Sequence, residues 1–327
     1  MRIITLLMLV ASCNSRLRNI SLRVTIKYAR TYAQIGEIIM NKVTLYSLKE
    51  IKEDNSQPPE PIIDNGVLLD GTILLIIGPP KSKKTFLTQN LAISIASGQD
   101  FAGFKVPEAK KVMYLLAEGG YYPNRERLKK MASNIDANLI LGHPTYLPIN
   151  RSDCYDYLYE LVKENNPDVL ILDPLIRFHD VDENSASQMS EIFGRIRTMM
   201  DELKISVILV HHTGKVLSRG GRGSSAIIGE YDSCIEISNS EDGNTSLKFD
   251  MRHVETPPTK KIRFNPDNFW FENESGIIEL IESAGGDLLK EDLIKSYGKP
   301  RATAYRHIKK AVKSGLVEED DKHLVLV

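Results

Sequence analysis

The clearest hydrophobic pattern in the chain is a buried-strand signal followed, after a short basic loop, by a helical signal. The segment Ile73–Gly78 is almost wholly aliphatic, as expected for a strand covered on both faces. Apolar residues at helical spacing follow it and predict a helix: Phe86, Leu87, Leu91, Ala92 and Ile95. The pattern therefore predicts a strand, a loop and a helix that stops at Ser97–Gly98.

Further apolar runs repeat this alternation along the chain. They predict three more buried strands: Val112–Ala117, Val169–Asp173 and Ile205–Val210. Helical patterns separate them: Asn124–Ala132, Cys154–Glu164 and Ser187–Leu203. Strands that alternate with helices are typical of an α/β fold with a mostly parallel sheet and helices on both faces. Alternating segments then predict antiparallel strands that extend the sheet: Ser233–Ser238, Thr245–Arg252, Lys261–Phe264 and Phe269–Glu272.

Beyond residue 275 the pattern changes to short amphipathic helices, which indicates a second, smaller domain. Three apolar faces predict three helices: Ile277, Ile278 and Ile281; Leu289, Leu293 and Ile294; Ala304, Ile308, Ala311 and Val312. The segment Gly298–Arg301 predicts the turn before the third helix, and Gly315 predicts its end. Two strands, Leu316–Val317 and His323–Val327, complete a pattern that resembles a winged helix-turn-helix.

The loop after the first buried strand has the composition of a phosphate-binding loop. Residues 78–85 fit G-x-x-x-x-G-K-[ST] at every position but that of Lys83, which replaces the second glycine. Backbone N–H groups would point at the β-phosphate of ATP, Lys84 would reach the β and γ oxygens, and Thr85 would ligate Mg²⁺. The predicted ATP-binding residues are Gly78, Pro79, Pro80, Lys81, Ser82, Lys83, Lys84, Thr85 and Phe86. The alternative is a strand, turn and helix whose lysines are merely solvated.

The lysine in place of the second glycine is the main departure from that motif. A non-glycine residue in the left-handed conformation costs roughly 1–2 kcal/mol. We therefore expect Lys83 to reduce nucleotide affinity or turnover. The charges of Lys81 and Lys83 would partly offset this loss beside a triphosphate.

Polar residues end three of the buried strands, at the edge where open α/β sheets bind their ligands. Glu118 would orient and deprotonate the attacking water, or it is a solvated acid that opens a glycine turn. Asp173 would accept hydrogen bonds from Mg²⁺-bound water. The pair His211–His212 would sense the γ-phosphate, and metal ligation is disfavoured because the sequence suggests no third ligand.

Composition adds few constraints. With 327 residues, 42% of them hydrophobic and 26% charged, the chain can bury one large core and a small second one. A net charge of −1 means that any affinity for DNA must come from local basic patches. Cys13, Cys154 and Cys234 lack metal-ligand or C-x-x-C spacing, so neither disulfides nor zinc is expected and a reducing cytoplasm fits.

The N-terminal 39 residues begin like a targeting segment. Arg2, an apolar run and Ser12–Cys13 resemble a bacterial lipoprotein signal, but the run is too short to span a bilayer as a helix. Export would also place an ATP site where there is no ATP. We expect residues 1–39 to be upstream sequence and the natural protein to begin at Met40, because the codons of Gly36–Glu37 can spell a ribosome-binding sequence. Mass spectrometry of the native N-terminus tests this, and we expect no membrane partner.

Several motifs in register resemble the RecA-fold P-loop ATPases, and most closely the RepA-type hexameric replicative helicases and their AAA-like relatives. The matching segments lie between residue 73 and about residue 272: GPPKSKKT, LLAEGG, LILDPLIRFH, HHTGK and SRGGRGSS. The resemblance implies that Lys84 and Thr85 bind phosphate and Mg²⁺, and that Glu118 is the catalytic carboxylate. It also implies that Asp173 is the metal-side acid and that His212 is the γ-phosphate sensor.

The same resemblance implies a six-membered ring with ATP between subunits and single-stranded DNA in the channel. Arg222 would then be an arginine finger in the neighbouring subunit's site, with Arg252 as a second candidate. The loops His179–Ser190 and Gly214–Ser224 would line the channel. Lys215 and Arg219 would contact the DNA phosphates, because the second loop is glycine-rich and basic and the first is acidic.

The third C-terminal helix is the candidate DNA reader. Residues 299–313 contain six basic residues and no acid, and a helix in the major groove needs such side chains. The predicted DNA-binding residues are Arg301, Thr303, Tyr305, Arg306 and Lys310. Protein docking or a solvated basic face is the alternative.

The sequence therefore predicts a RecA-like P-loop core at residues 40–273 and a winged-helix domain at residues 274–327. The expected function is that of a cytoplasmic, Mg²⁺-dependent ATPase that assembles as a homo-hexamer and unwinds DNA during replication of a plasmid, phage or mobile element. The alternative is an ATP-switched DNA-binding regulator or recombination accessory ATPase that does not unwind. Strand displacement on a forked duplex separates the two.

Overall fold

The computed structural model describes residues 45–212, 227, 229–239, 245–273, 276–297, 301–313 and 315–327. The chain divides into two units, residues 1–58 and residues 59–327. In the first unit, α1 (Leu48–Glu53) begins with a capping box, in which Ser47 and Glu50 satisfy each other's backbone N–H groups. Met40 and the predicted extension 1–39 lie outside the described residues.

The second unit is built on a nine-stranded sheet with the order β3-β2-β4-β5-β1-β6-β7-β8-β9. Its strands are β1 (Ile73–Gly78), β2 (Val112–Leu116), β3 (Leu139–Gly142), β4 (Val169–Asp173), β5 (Ser206–His212), β6 (Ser233–Asn239), β7 (Thr245–Met251), β8 (Lys260–Phe264) and β9 (Phe271–Asn273). The pairs from β3 to β6 are parallel, and those from β6 to β9 are antiparallel. The mostly parallel α/β sheet is thus confirmed.

One strand differs from the expectation of a fully antiparallel extension. The strand β6 pairs in parallel with β1, so the antiparallel part begins only at β7. The reason is burial on both sides: Cys234 packs into one apolar layer, while Ile235 and Ile237 pack into the other. Such two-sided burial is typical of a parallel strand in the middle of a sheet.

Helices cover both faces of the sheet. They are α2 (Lys84–Ser97), α3 (Tyr121–Met131), α4 (Ser152–Asn165) and α5 (Ala186–Leu203). Successive residues of β1 point to opposite faces. Leu74 therefore joins the apolar cluster that includes Leu91 of α2, and Leu75 joins the cluster that includes Phe193 of α5. This layering leaves the carboxyl ends of β1, β2, β4 and β5 along one edge of the sheet.

The C-terminal part has three helices and a three-stranded sheet. They are α6 (Ile277–Ser283), β10 (Asp287–Leu289), α7 (Lys290–Ser296), α8 (Arg301–Lys313), β11 (Val317–Asp320) and β12 (His323–Leu326), with sheet order β10-β12-β11. The strand β10 was not predicted, because three residues are too few to show alternation. Leu289 therefore belongs to this strand and not to the second helix. Arg301 begins α8, whereas residues 298–300 of the predicted turn lie outside the described residues.

The C-terminal elements enclose a core of their own. Its members come from all three helices and from two strands: Ile277, Ile281, Leu293, Ile308, Val317 and Leu324. Across the described ranges, no helix is both long and apolar enough to cross a membrane.

Candidate functional site

The loop between β1 and α2 adopts the conformation that the phosphate-binding motif requires. Lys83 stands at the N-cap of α2 with φ 63° and ψ 26°, in the left-handed region usually occupied by glycine. Lys81 is also left-handed, with φ 64°. At the start of the loop, a Cβ on Gly78 would lie 2.5 Å from the carbonyl oxygen of Ile237, so a side chain cannot be accommodated there. The loop thus keeps the backbone path despite its two strained lysines.

The motif lysine points back into this loop. Lys84 is buried, and its Nζ donates to the carbonyl oxygens of Gly78 at 2.7 Å and Pro79 at 2.8 Å. Burial lowers the pKa of Lys84 to about 8, and the charges of Asp173 and Glu118 act in the opposite direction. The hydroxyl of Ser82 is buried without a hydrogen-bond partner. A buried cation and an unpartnered donor in one loop fit an anionic ligand such as phosphate.

The two predicted Mg²⁺-binding residues lie together. Asp173 ends β4 and is buried, and it accepts hydrogen bonds from the hydroxyls of Tyr114 and Thr85. Burial raises the pKa of Asp173 to about 6, while these two hydrogen bonds lower it and Glu118 raises it. Sequence reasoning missed Tyr114, whose hydroxyl is hidden in the middle of the apolar strand β2. A hydroxyl and a carboxylate are the oxygen ligands that Mg²⁺ prefers, so these residues fit the metal.

Glu118 lies directly after β2, and other side chains fix both its backbone and its carboxylate. Asn124 Nδ2 donates to the carbonyl oxygens of Glu118 and Gly120, each at 2.9 Å. One carboxylate oxygen accepts a hydrogen bond from Arg177 Nε at 3.0 Å, and the other lies 3.8 Å from His212 Nε2. The structure therefore brings two of the predicted site residues, Glu118 and His212, close to each other. Arg177 was missed, although it lies in the segment LILDPLIRFH and is a cation within the apolar turn after Asp173.

The two histidines at the end of β5 have different surroundings. Burial lowers the pKa of His212, and so does the nearby charge of Lys84. His211 Nδ1 lies 3.6 Å from Glu183 Oε1, and the same oxygen lies 3.6 Å from His179 Nε2. Glu183 and His179 were not expected beside His211. Even so, the described residues contain no group of three acidic, histidine or cysteine side chains arranged to hold a metal ion.

An aromatic cluster lies beside the phosphate-binding loop. The ring of Phe86 makes edge contacts with Phe264 at 5.1 Å and Phe269 at 5.4 Å, measured between centroids. The guanidinium of Arg127 lies 4.5 Å from the Phe86 centroid, and Lys83 Nζ lies 5.1 Å from that of Phe264. Phe86, predicted to bind ATP, thus packs against the antiparallel strands. Flat rings and cations next to a phosphate loop suit a purine base, and the sequence patterns did not indicate this cluster.

Of the two predicted arginine fingers, the structure describes Arg252, which is not part of the site around Lys84 and Glu118. Arg252 donates to Asp232 Oδ1 at 3.3 Å and to the carbonyl oxygen of Gly229 at 2.9 Å. It follows Met251, which pairs with Ser233, and Ser233 pairs with Leu74 near the start of β1. Arg252 therefore lies at the edge of the sheet opposite the phosphate loop. Arg222, Lys215 and Arg219 lie outside the described residues, together with the loop 213–226 that contains them.

The DNA-binding residues predicted for the C-terminal domain lie on α8. Arg301 donates to Glu291 Oε1 at 2.8 Å and to the hydroxyl of Tyr305 at 3.4 Å. Arg306 is exposed, and Tyr305 has 40% of its surface exposed, so both can contact a ligand. The side chains of Thr303 and Lys310 are outside the part that the structure describes.

Comparisons with known proteins agree with this geometry. The sequence pattern of the AAA domain family matches residues 43–217, which is more than half of the 327 residues. The DNA repair and recombination protein RadB of Methanobrevibacter smithii is 29% identical over 153 residues, which cover 44% of this chain and 60% of that protein. Together with the mostly parallel sheet, these matches support a RecA-like P-loop ATPase core.

Proposed function

The chain belongs to the AAA domain family, and on this basis we propose that it is a Mg²⁺-dependent ATPase that acts on DNA as a ring-shaped helicase of the RepA type. The observation that carries the proposal is the convergence of five side chains at one edge of the sheet: Lys84, Thr85, Asp173, Glu118 and His212. Hydrolysis of a nucleoside triphosphate requires a cation, a metal site and a catalytic base, and in this proposal these residues supply all three.

In the proposed reaction each residue has one task. Lys84 leaves the carbonyl oxygens of its own loop and donates to the β and γ oxygens of ATP. Thr85 and Asp173 would hold Mg²⁺, which would neutralise charge on the phosphates. Glu118 accepts a proton from the attacking water. His212, which lies 3.8 Å from Glu118, contacts the γ-phosphate. The ring cluster around Phe86 holds the base.

The DNA-related part of the proposal has separate support. RadB is a DNA repair and recombination protein by its name, and the chain matches 60% of its length. We infer that single-stranded DNA lies in the channel of a homo-hexamer, in contact with Lys215 and Arg219. Arg222, or else Arg252, would then complete the site of a neighbouring subunit.

The C-terminal part, residues 274–327 in the proposed division, is a winged helix-turn-helix in this proposal, with residues 40–273 as the ATPase domain. The order of three helices and three strands and the separate core support this assignment. Duplex DNA would contact α8 through Arg301, Arg306 and their neighbours. Arg301 donates a hydrogen bond to Glu291, so Arg301 must exchange this partner for a DNA phosphate or base when DNA binds.

A second function is favoured by the RadB similarity: an ATP-switched recombination accessory protein that binds DNA without unwinding it. Strand displacement on a forked duplex, measured with ATP and Mg²⁺, separates the two. Displacement that depends on hydrolysis supports the helicase. ATP-dependent DNA binding without displacement supports the accessory function.

The ATPase itself is tested by replacing the motif lysine. Lys84→Ala should abolish hydrolysis, because it removes the cation that follows the γ-phosphate in the transition state. Lys163→Ala is the matched control, since this lysine is exposed near the end of α4. Hydrolysis by Lys84→Ala within a factor of two of the wild type would refute the site assignment.

A further inference from the structure

We infer that Arg177 positions the catalytic carboxylate Glu118 in the nucleotide-free protein and transfers its guanidinium to the γ-phosphate when ATP binds. The inference rests on the proposed ATPase function. Its first support is direct contact: Arg177 Nε lies 3.0 Å from Glu118 Oε1. In the described part of the chain, the ion pair of Glu118 with a lysine or arginine is the one with Arg177.

The backbone of Arg177 is held rigidly. Leu175 and Phe178, on either side of it, are completely buried in the apolar layer below the sheet edge. Arg177 N donates to the carbonyl oxygen of Pro174 at 3.0 Å, and the carbonyl oxygen of Phe178 accepts from Ile149 N at 2.7 Å. The start of the side chain is therefore fixed at the site, directly after the strand that ends in Asp173.

The guanidinium, in contrast, lies at the surface. The side chain of Arg177 is 59% exposed and that of Glu118 is 39% exposed. Ion pairs between such exposed groups are weak, because water screens them. A phosphate with two negative charges offers a guanidinium stronger, bidentate hydrogen bonds than a solvated carboxylate does. An incoming γ-phosphate should therefore take the guanidinium from Glu118.

The exchange has a consequence for the timing of catalysis. While Arg177 donates to Oε1, that oxygen is engaged and Glu118 is a poorer acceptor for a proton from water. The other oxygen lies 3.8 Å from His212 Nε2, too far for a hydrogen bond, so the contact that changes when Arg177 moves is the one to Oε1. Once Arg177 has moved to the γ-phosphate, Oε1 is released at the position where the attacking water must lie. The arginine thus links recognition of the third phosphate to activation of the base.

The first experiment compares nucleotide affinity and turnover in Arg177→Ala. Loss of a donor to the transition state should lower kcat by about 10²–10³-fold. The affinity for ATP should fall at least tenfold, whereas that for ADP, which has no γ-phosphate, should stay within a factor of two. Arg177→Lys should recover part of the ATP affinity, because lysine keeps the positive charge but lacks the planar guanidinium that makes two parallel hydrogen bonds.

Arg151→Ala is the matched control. Arg151 is similarly exposed, at 51%, and pairs with Asp153 at 3.5 Å at the start of α4. Its replacement should change neither affinity nor kcat. A drop in ATP and ADP affinity by the same factor in Arg177→Ala would show a merely structural role and would overturn the inference, as would a kcat within a factor of two of the wild type.

A second experiment isolates the γ-phosphate contact from any effect through the carboxylate. In a Glu118→Gln protein, which should bind ATP without hydrolysing it, Arg177→Ala should still reduce ATP affinity at least tenfold. No reduction in that background would mean that Arg177 acts on Glu118 alone, against the transfer. A wild-type protein that binds ATP but hydrolyses none would contradict the ATPase proposal, while this affinity comparison would still decide the role of Arg177.

Discussion

Replacement of Asp173 by asparagine should stabilise the metal-free protein while removing the carboxylate of the proposed Mg²⁺ site. Burial raises the pKa of Asp173 from 3.8 to about 6 in the folded chain. The folded protein therefore holds a proton more tightly than the unfolded chain does, and ionised Asp173 destabilises the fold. This cost is fully present above the folded pKa and disappears below the unfolded one.

The size of the effect follows from the shift. About two pKa units correspond to about 3 kcal/mol at pH 7.5, and to about 1 kcal/mol at pH 4.5, where the folded-state carboxyl is already protonated. Asparagine has the same shape and keeps an oxygen that can accept from Tyr114. The Asp173→Asn protein should therefore gain up to about 3 kcal/mol at the higher pH.

Urea unfolding in the presence of a chelator measures this difference at both pH values. Asp232→Asn is the matched control, since Asp232 is also buried but accepts from Ile73 N and pairs with Arg252. Loss of its charge should cost about 1–3 kcal/mol. If Asp173→Asn is no more stable than the wild type at pH 7.5, or gains the same amount at pH 4.5, then the buried charge is not the cause.

Three further outcomes are expected. Lys83→Gly should change the free energy of unfolding, measured in urea, by no more than about 1 kcal/mol. The change relieves about 1–2 kcal/mol of left-handed strain. This gain is offset by the greater backbone entropy of glycine in the unfolded chain and by the lost contact with Phe264, each about 0.5–1 kcal/mol. Its ATP affinity should equal or exceed the wild-type value, and a fall would show that Lys83 binds phosphate. Arg222→Ala should bind ATP normally and lose hydrolysis, and mixing it with Lys84→Ala subunits should restore some activity; a protein that stays monomeric with ATP and DNA would contradict this. Truncation after Ser275 should leave basal hydrolysis intact and weaken duplex binding, and equal binding at every salt concentration would refute the DNA-reader assignment.

The sequence was sufficient to predict the strands of the site and the residues at their ends. Buried parallel strands are continuous apolar runs, and a polar residue directly after such a run lies at the ligand-binding edge. Glu118, Asp173 and His212 were identified in this way, and the structure brings Glu118 close to His212. The motif also indicated that Lys83 would have to be left-handed, which the structure shows.

Residues whose role depends on distant partners were not predictable. The hydrogen bond from Tyr114 to Asp173 and that from Arg177 to Glu118 each join positions 59 residues apart. No local pattern reveals such a contact, because strand order decides which side chains meet. The direction of β6 was missed for the same reason, since alternation does not show which neighbour a strand pairs with.

The position of β1 in the middle of the sheet constrains how the protein is synthesised. Its neighbours β5 and β6 both come much later in the chain, and the hydrogen bond that anchors Ile73 to Asp232 spans 159 positions. A ribosome needs roughly 10–30 s to add that many residues. For most of this interval the nascent β1, an aliphatic segment, is without either native neighbour, because β5 begins only at Ser206. The nucleotide site can therefore form only late in translation, and the early chain depends on chaperones or rapid collapse to avoid aggregation.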